Sequence, residues 1–217
     1  MQLQIAPSIL SADFARLGAD IEMLNKSADL IHLDIMDGSF VPNISFGFPV
    51  VEAVSKIATI PMDAHFMVVH PERWVKRCAE LGVSMMSFHL EAAREDASTI
   101  LADIRSHEMK AGLVINPDIA VEDLFPFIGQ ADYFLIMSVF AGFGGQKFIP
   151  ESLERIAVLK AELDRRGNSA PIEVDGGVSN ANAKLLAQAG ASIFVAGSSV
   201  FKADNPATAI SELRNSQ

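Results

Sequence analysis

Short apolar runs alternate with longer amphipathic segments along the whole chain. The runs at Leu3 to Ser8, Leu30 to Asp34, Pro61 to Met67, Met85 to His89, Ala111 to Ile115, Tyr133 to Ser138, Pro171 to Val174 and Ser192 to Ala196 have the length and composition of strands. Between them, apolar positions recur at helical spacing over Phe14 to Asn25, Val50 to Ala58, Glu72 to Leu81, Ala97 to His107, Val121 to Ile128, Glu151 to Arg166, Ala181 to Ala189 and Pro206 to Arg214. Gly82, Gly167 and Gly190 fall just past helix ends, and Asn205-Pro206 offers a cap followed by proline in the first turn. Strand–helix alternation with no linker or low-complexity tract predicts βα units and a parallel sheet. Eight such units in 217 residues fit a single-domain (β/α)8 TIM barrel over residues 1–217. A doubly wound open sheet has the same element order, because periodicity is silent on closure. The barrel is favoured, since each strand has its own following helix and several strands end in polar residues.

Composition narrows the function classes. Half of the residues are hydrophobic, enough for one substantial core. Seventeen Lys and Arg against 27 Asp and Glu give a net charge of −10, which argues against nucleic acid or an anionic membrane as partner. A small phosphorylated ligand stays possible, because backbone N–H groups and helix N-termini hold phosphate without formal charge. Cys78 is the single cysteine, so an intrachain disulfide and a Cys-based zinc site are excluded. The N-terminal residues do not resemble a secretory signal, and no apolar run reaches membrane-spanning length. The expectation is a cytoplasmic protein with no membrane and no nucleic-acid partner.

Candidate chemistry centres on Ile31-His32-Leu33-Asp34-Ile35-Met36-Asp37-Gly38. Alternation along a strand puts His32, Asp34 and Met36 on one face. That polar pair reads equally as a buried histidine satisfied by its neighbour or as a metal or catalytic pair. With the barrel register, His65 on the third strand and Asp175 just beyond the seventh join His32 and Asp34 on the face where barrel active sites lie. Two imidazoles and two carboxylates suit one divalent ion such as zinc, iron(II) or manganese. His89 is placed behind this group without a ligand role, and His70 and His107 are read as solvent-facing. Met36, Met67 and Met137 fall near strand ends, as core fillers or as a water-excluding wall around the site. Three glycine-rich strand exits, Gly142-Phe143-Gly144-Gly145, Asp175-Gly176-Gly177 and Gly197-Ser198-Ser199, are candidate phosphate cradles.

These residues carry a resemblance that runs nearly end to end. Ile5 to Phe14, His32 to Gly38 with Phe40-Val41-Pro42-Asn43, His65-Phe66-Met67, Gly142 to Pro150, Glu173 to Gly177 and Val195 to Ser198 together resemble the ribulose-phosphate 3-epimerases. The resemblance implies a ribulose-phosphate-binding barrel that interconverts D-ribulose 5-phosphate and D-xylulose 5-phosphate at C3. It implies His32, Asp34, His65 and Asp175 as metal ligands, with Asp34 and Asp175 also the acid/base pair acting through an enediolate. It implies Ser8 and His65 as sugar contacts, and Gly142, Phe143, Gly144, Gly145, Gly176, Gly177, Gly197 and Ser198 as substrate-binding, chiefly at the phosphate. Homo-oligomers are expected from the same resemblance, with a small phosphorylated ketose as the partner molecule.

The chain departs from the family pattern at three places. Phe140-Ala141 stands where an acidic residue or asparagine is usually followed by proline, a change expected to loosen the loop over the substrate. Phe66 stands where leucine is usual, and Ser39 where histidine is frequent. The competing readings are a 3-epimerase of another ketose phosphate such as allulose 6-phosphate, a phosphate-binding barrel lyase, and a non-catalytic sugar-phosphate binder. A Schiff-base aldolase needs a strand-end lysine, and no predicted strand end carries one.

Overall fold

The computed structural model describes residues 3–216. Met1, Gln2 and Gln217, which belong to the N-terminal reading and to the 1–217 domain assignment, lie outside the described residues. Eight strands form one parallel sheet: β1 Gln4–Pro7, β2 Ile31–Met36, β3 Met62–Met67, β4 Met85–His89, β5 Lys110–Ile115, β6 Tyr133–Met137, β7 Ile172–Asp175 and β8 Ile193–Ala196. From β2 to β8 each strand pairs with the next in sequence, and β1 pairs with β8. A parallel bridge between Ser8 and His32 joins the β1 side to β2, so the sheet closes on itself and the open-sheet alternative falls away.

The seam between β1 and β2 is also fastened from outside. Asp29 Oδ2 accepts the Ile5 N–H and a bond from Arg214 Nη2, both at 2.8 Å. Arg214 lies at the end of the final helix and also donates to the Ser27 carbonyl at 2.8 Å.

The helices are α1 Leu17–Ser27, α2 Phe48–Ser55, α3 Val75–Glu80, α4 Ala97–Ser106, α5 Ser152–Arg165, α6 Ala183–Ala189, α7 Ser198–Phe201 and α8 Pro206–Arg214. The sequence reading differs in several places, among them short additional 3-10 segments at Ile9–Ser11 and Leu90–Ala92. Val121–Phe127 is a 3-10 segment, because Pro126 inside it lacks an N–H and crowds the preceding turn. The segment from Glu72 begins as a 3-10 turn over Pro71–Trp74 before α3. The short α7 after β8 is additional, being too short to show a helical period.

Two layers of core follow from strand alternation. Outward residues such as Ile5, Leu33, Phe66, Phe88, Phe134 and Phe194 are fully buried against the helices. Inward residues fill the barrel. Tyr133 plugs its lower half, lying over Gly112, where an added Cβ would come 2.3 Å from the ring. Above that plug the interior turns polar, and there the candidate site begins.

Candidate active site

Register stacks the inward side chains in layers. His32 lies beside Asp63, Asp34 beside His65, and Met137 beside Asp175 on paired strands. The four sequence-predicted ligands do converge: His32, Asp34, His65 and Asp175 each offer a ligand atom within 4.8 Å of the others. His32 Nε2 is 3.5 Å from Asp34 Oδ1, and His65 Nδ1 is 3.3 Å from Asp34 Oδ1 and 3.7 Å from Asp175 Oδ2. Ligands bound at 2.0–2.2 Å around a tetrahedral ion stand about 3.3–3.6 Å apart. Both of these imidazole nitrogens are buried without a hydrogen-bond partner, which is what groups facing a cation require. The residues therefore fit a divalent ion.

The surrounding groups orient this set. Ser8 Oγ donates to Asp34 Oδ2, leaving Oδ1 for the histidines. Ser45 Oγ donates to the Asp34 carbonyl at 2.5 Å and fixes the end of β2. On the other side, the Ser138 hydroxyl donates to the Asp175 and Gly176 carbonyls at 2.9 and 2.6 Å. His32 Nδ1 meets Asp63 Oδ2 at 2.7 Å, and Asp63 Oδ1 accepts from the Tyr133 hydroxyl at 3.0 Å. Glu173 is buried beside them, 3.6 Å from His32 Nδ1. His65 Nε2 lies 3.0 Å from His89 Nε2, so His89 is behind His65 and away from the carboxylates. His70 is more than half exposed and His107 about one-third exposed.

Burial and charge set these groups apart. Burial favours neutral Asp34, yet His32 and His65 outweigh it and hold its carboxyl well below the usual range. Asp175 is pushed the other way, to about 7, by burial and then by the negative charge of Asp34. Burial, opposed only in part by Asp34, holds His65 down at about 4. Glu173 is raised by burial and by Asp63, which favours its neutral acid.

Above the four groups a cleft opens at the carboxyl ends of the strands. Ser8, Asp34, Asp175, Gly142, Phe143, Gly144, Gly145, Gly176, Gly177, Gly197 and Ser198 all line it, as do Met36, Met67 and Met137. His32 and His65 lie beneath its floor with no exposed surface. Gly177 adopts φ +64°, and a Cβ there would sit 2.5 Å from the Phe148 nitrogen, so only glycine lets these loops meet. Sequence reasoning missed Asp63, Ser45, Ser138, Tyr133 and Ser11, whose hydroxyl would lie 2.7 Å from a Cβ at Gly197.

A closed eight-stranded barrel with convergent carboxylates and imidazoles under a glycine-rimmed mouth defines a TIM-barrel enzyme with its active site at the strand ends. Residues 4–201 match the ribulose-phosphate 3-epimerase family, and the chain belongs to it. It is 43% identical over 217 residues to the ribulose-phosphate 3-epimerase of Bacillus subtilis, covering 99% of this chain and 100% of that one. Identity to the Synechocystis enzyme of the same name is 45% over 215 residues, covering 98% and 94%. A solved 3-hexulose-6-phosphate synthase shares the fold at TM-score 0.71 and 19% identity, covering 100% of this chain and 99% of that one.

Proposed function

We propose that the protein epimerises D-ribulose 5-phosphate and D-xylulose 5-phosphate at C3, with Asp34 and Asp175 as the two proton-transfer groups. The observation that carries this reading is the meeting of those two carboxyls with His32 and His65 at the floor of one cleft, in a chain of this family. The hydrogen on C3 is acidified by the neighbouring C2 carbonyl, and its loss leaves an enediolate. Inversion needs one group to remove a proton and another to return one from the opposite face. Asp34 on β2 and Asp175 on β7 stand on strands separated by β8 and β1. Before an ion binds, the histidines keep Asp34 ionised, suited to accept, while burial and the Asp34 charge raise Asp175, which holds its proton more readily and is suited to donate. In the reverse direction the two exchange roles.

His32 Nε2, His65 Nδ1 and the two aspartates would hold the divalent ion, which supplies Lewis-acid stabilisation of the charge developing on the substrate oxygens. Ser8 fixes the Asp34 carboxylate, and the three methionines exclude water from the proton path. The phosphate is read as lying among Gly144, Gly145, Gly176, Gly177, Gly197 and Ser198, whose backbone N–H groups and the start of α7 provide donors without formal charge.

The test is exchange of the C3 hydrogen of ribulose 5-phosphate with heavy water, with and without added divalent ion. Asp34→Asn and Asp175→Asn are expected to fold and to lose most turnover, each removing a proton-transfer contribution of about 10²–10⁴-fold. Wild-type rates in either variant overturn the two-aspartate assignment. Undiminished exchange after chelation overturns the metal requirement, and faster turnover of a hexulose 6-phosphate overturns the pentulose.

A further inference from the structure

Segment 140–146 covers one side of the cleft and is held at three points. Gln146 Nε2 donates to the carbonyls of Phe140 at 2.7 Å and Phe143 at 2.8 Å, folding the segment on itself. Asn43 Nδ2 donates to the Gly142 carbonyl at 2.8 Å from the loop after β2. The third point is Asn116, immediately after β5, whose Oδ1 accepts the Ala141 N–H at 3.0 Å. Phe140 and Phe143 are 51% and 54% exposed, so packing of their rings contributes little. Hydrogen bonds, two of them from outside the segment, set where it lies.

Asn116 belongs to the rigid frame. Its backbone N–H donates to Glu91 Oε1 at 3.0 Å, and its carbonyl accepts from Arg155 Nη2 at 2.8 Å. Arg155 also donates to the Ile119 carbonyl at 2.9 Å and the Met137 carbonyl at 3.4 Å, tying the ends of β5 and β6 together. The Asn116 amide nitrogen lies 3.4 Å from His89 Nδ1, which turns the amide oxygen toward Ala141. The bond to the segment exists because residue 141 carries an N–H. Proline there would have no donor and would restrain the backbone through its ring instead.

We propose that Asn116 is a positioning residue that, through the Ala141 N–H, sets how closely segment 140–146 lies over the sugar phosphate and so governs substrate binding. The proposal rests on reading the cleft as the sugar-phosphate site. Asn116 has no part in the proton transfers, so its effect falls on KM.

A double-mutant cycle of Asn116→Ala and Ala141→Pro on the metal-loaded enzyme tests it. Asn116→Ala is expected to raise KM for ribulose 5-phosphate about three- to tenfold, as loss of one neutral hydrogen bond gives. Its kcat should stay within about twofold of wild type, the pattern of lost uniform binding. In the Ala141→Pro background the same change should move KM by less than about twofold, because the bond is already gone. Chymotryptic cleavage after Phe143, the site that Ala141→Pro leaves intact, followed with inorganic phosphate present, should speed up in Asn116→Ala, and adding Asn116→Ala to Ala141→Pro should gain nothing further. A lowered kcat at unchanged KM, or an equal penalty in both backgrounds, overturns the proposal. If Asn116→Ala does not fold, Asn116→Ser, whose hydroxyl falls short of Ala141, is read the same way. A wild-type protein without epimerase activity would refute the parent reading, while the cleavage arm would still decide this one.

Discussion

Asp63 and Glu173 place two carboxyl groups beneath His32, and their situations differ. Asp63 is in contact with His32 Nδ1 and with the Tyr133 hydroxyl, and His32 holds its carboxyl low against the effect of burial. Glu173 has no hydrogen-bond partner on either oxygen and is driven toward the neutral acid. Asp63→Asn should therefore cost about 10- to 100-fold in metal affinity or turnover, the usual effect of removing the carboxylate behind a metal-binding histidine. Glu173→Gln, which copies the neutral acid in shape, should stay within about threefold. Metal content and steady-state rates check both, and equal losses would show that the two carboxyls act alike. The four ligand candidates could be read from the sequence because His32, Asp34 and His65 interrupt apolar runs and Asp175 ends one. Asp63 and Glu173 share their faces, two residues before His65 and Asp175, yet a charge at the start of a run reads as a strand boundary. Only closure of the barrel makes that position interior.

Among the elements, the turn after β2 is fastened by one side chain. Asp37 Oδ1 accepts the Ser39 and Phe40 N–H groups, both at 2.8 Å, and Oδ2 accepts the Val69 N–H at 2.9 Å from the loop after β3. Burial is the largest single influence and opposes the charge, but the N–H bonds together outweigh it and lower the pKa. The stabilisation they give is thus fully present above the unfolded carboxylate value near pH 4 and is lost as pH falls through the lower folded value. Melting temperatures of wild type and Asp37→Asn should differ at pH 7 and converge as the pH drops toward 3. A gap of constant size would deny Asp37 this role. Strand positions were legible in advance because apolar runs bounded by polar residues have few other readings. The helix expected over Val121 to Ile128 was not, although Pro126 was in view, because its apolar spacing satisfies a 3-10 segment as well as an α-helix. Segment 140–146 shows a different limit: the sequence reports a missing proline, but the Asn116 acceptor comes from the exit of β5, 25 residues away.

For the molecule as a whole, the barrel interior is divided between an aromatic plug and a polar site, and Gly112 makes the division possible. Tyr133 fills the space that any side chain at 112 would take. Gly112→Ala should overpack the interior at a cost of about 1–3 kcal/mol. For a chain of this length that corresponds to a melting point lower by about 2–4 °C per kcal/mol. Scanning calorimetry reads it directly, and an unchanged melting point would mean that Tyr133 has another place to go. Closure itself had no signature in the periodicity, since open and closed sheets share their pattern. It became visible through Ser8, which borders His32 and bonds Asp34 from β1's side of the ring.

The Arg214–Asp29–Ile5 clasp gives that ring an order of assembly. During synthesis His32, Asp34, His65 and Asp175 all emerge before Arg214, so the four candidate ligands are made before this fastening. A chain clipped just short of Arg214 should bind an added divalent ion more weakly, though it has lost none of the four candidate ligands.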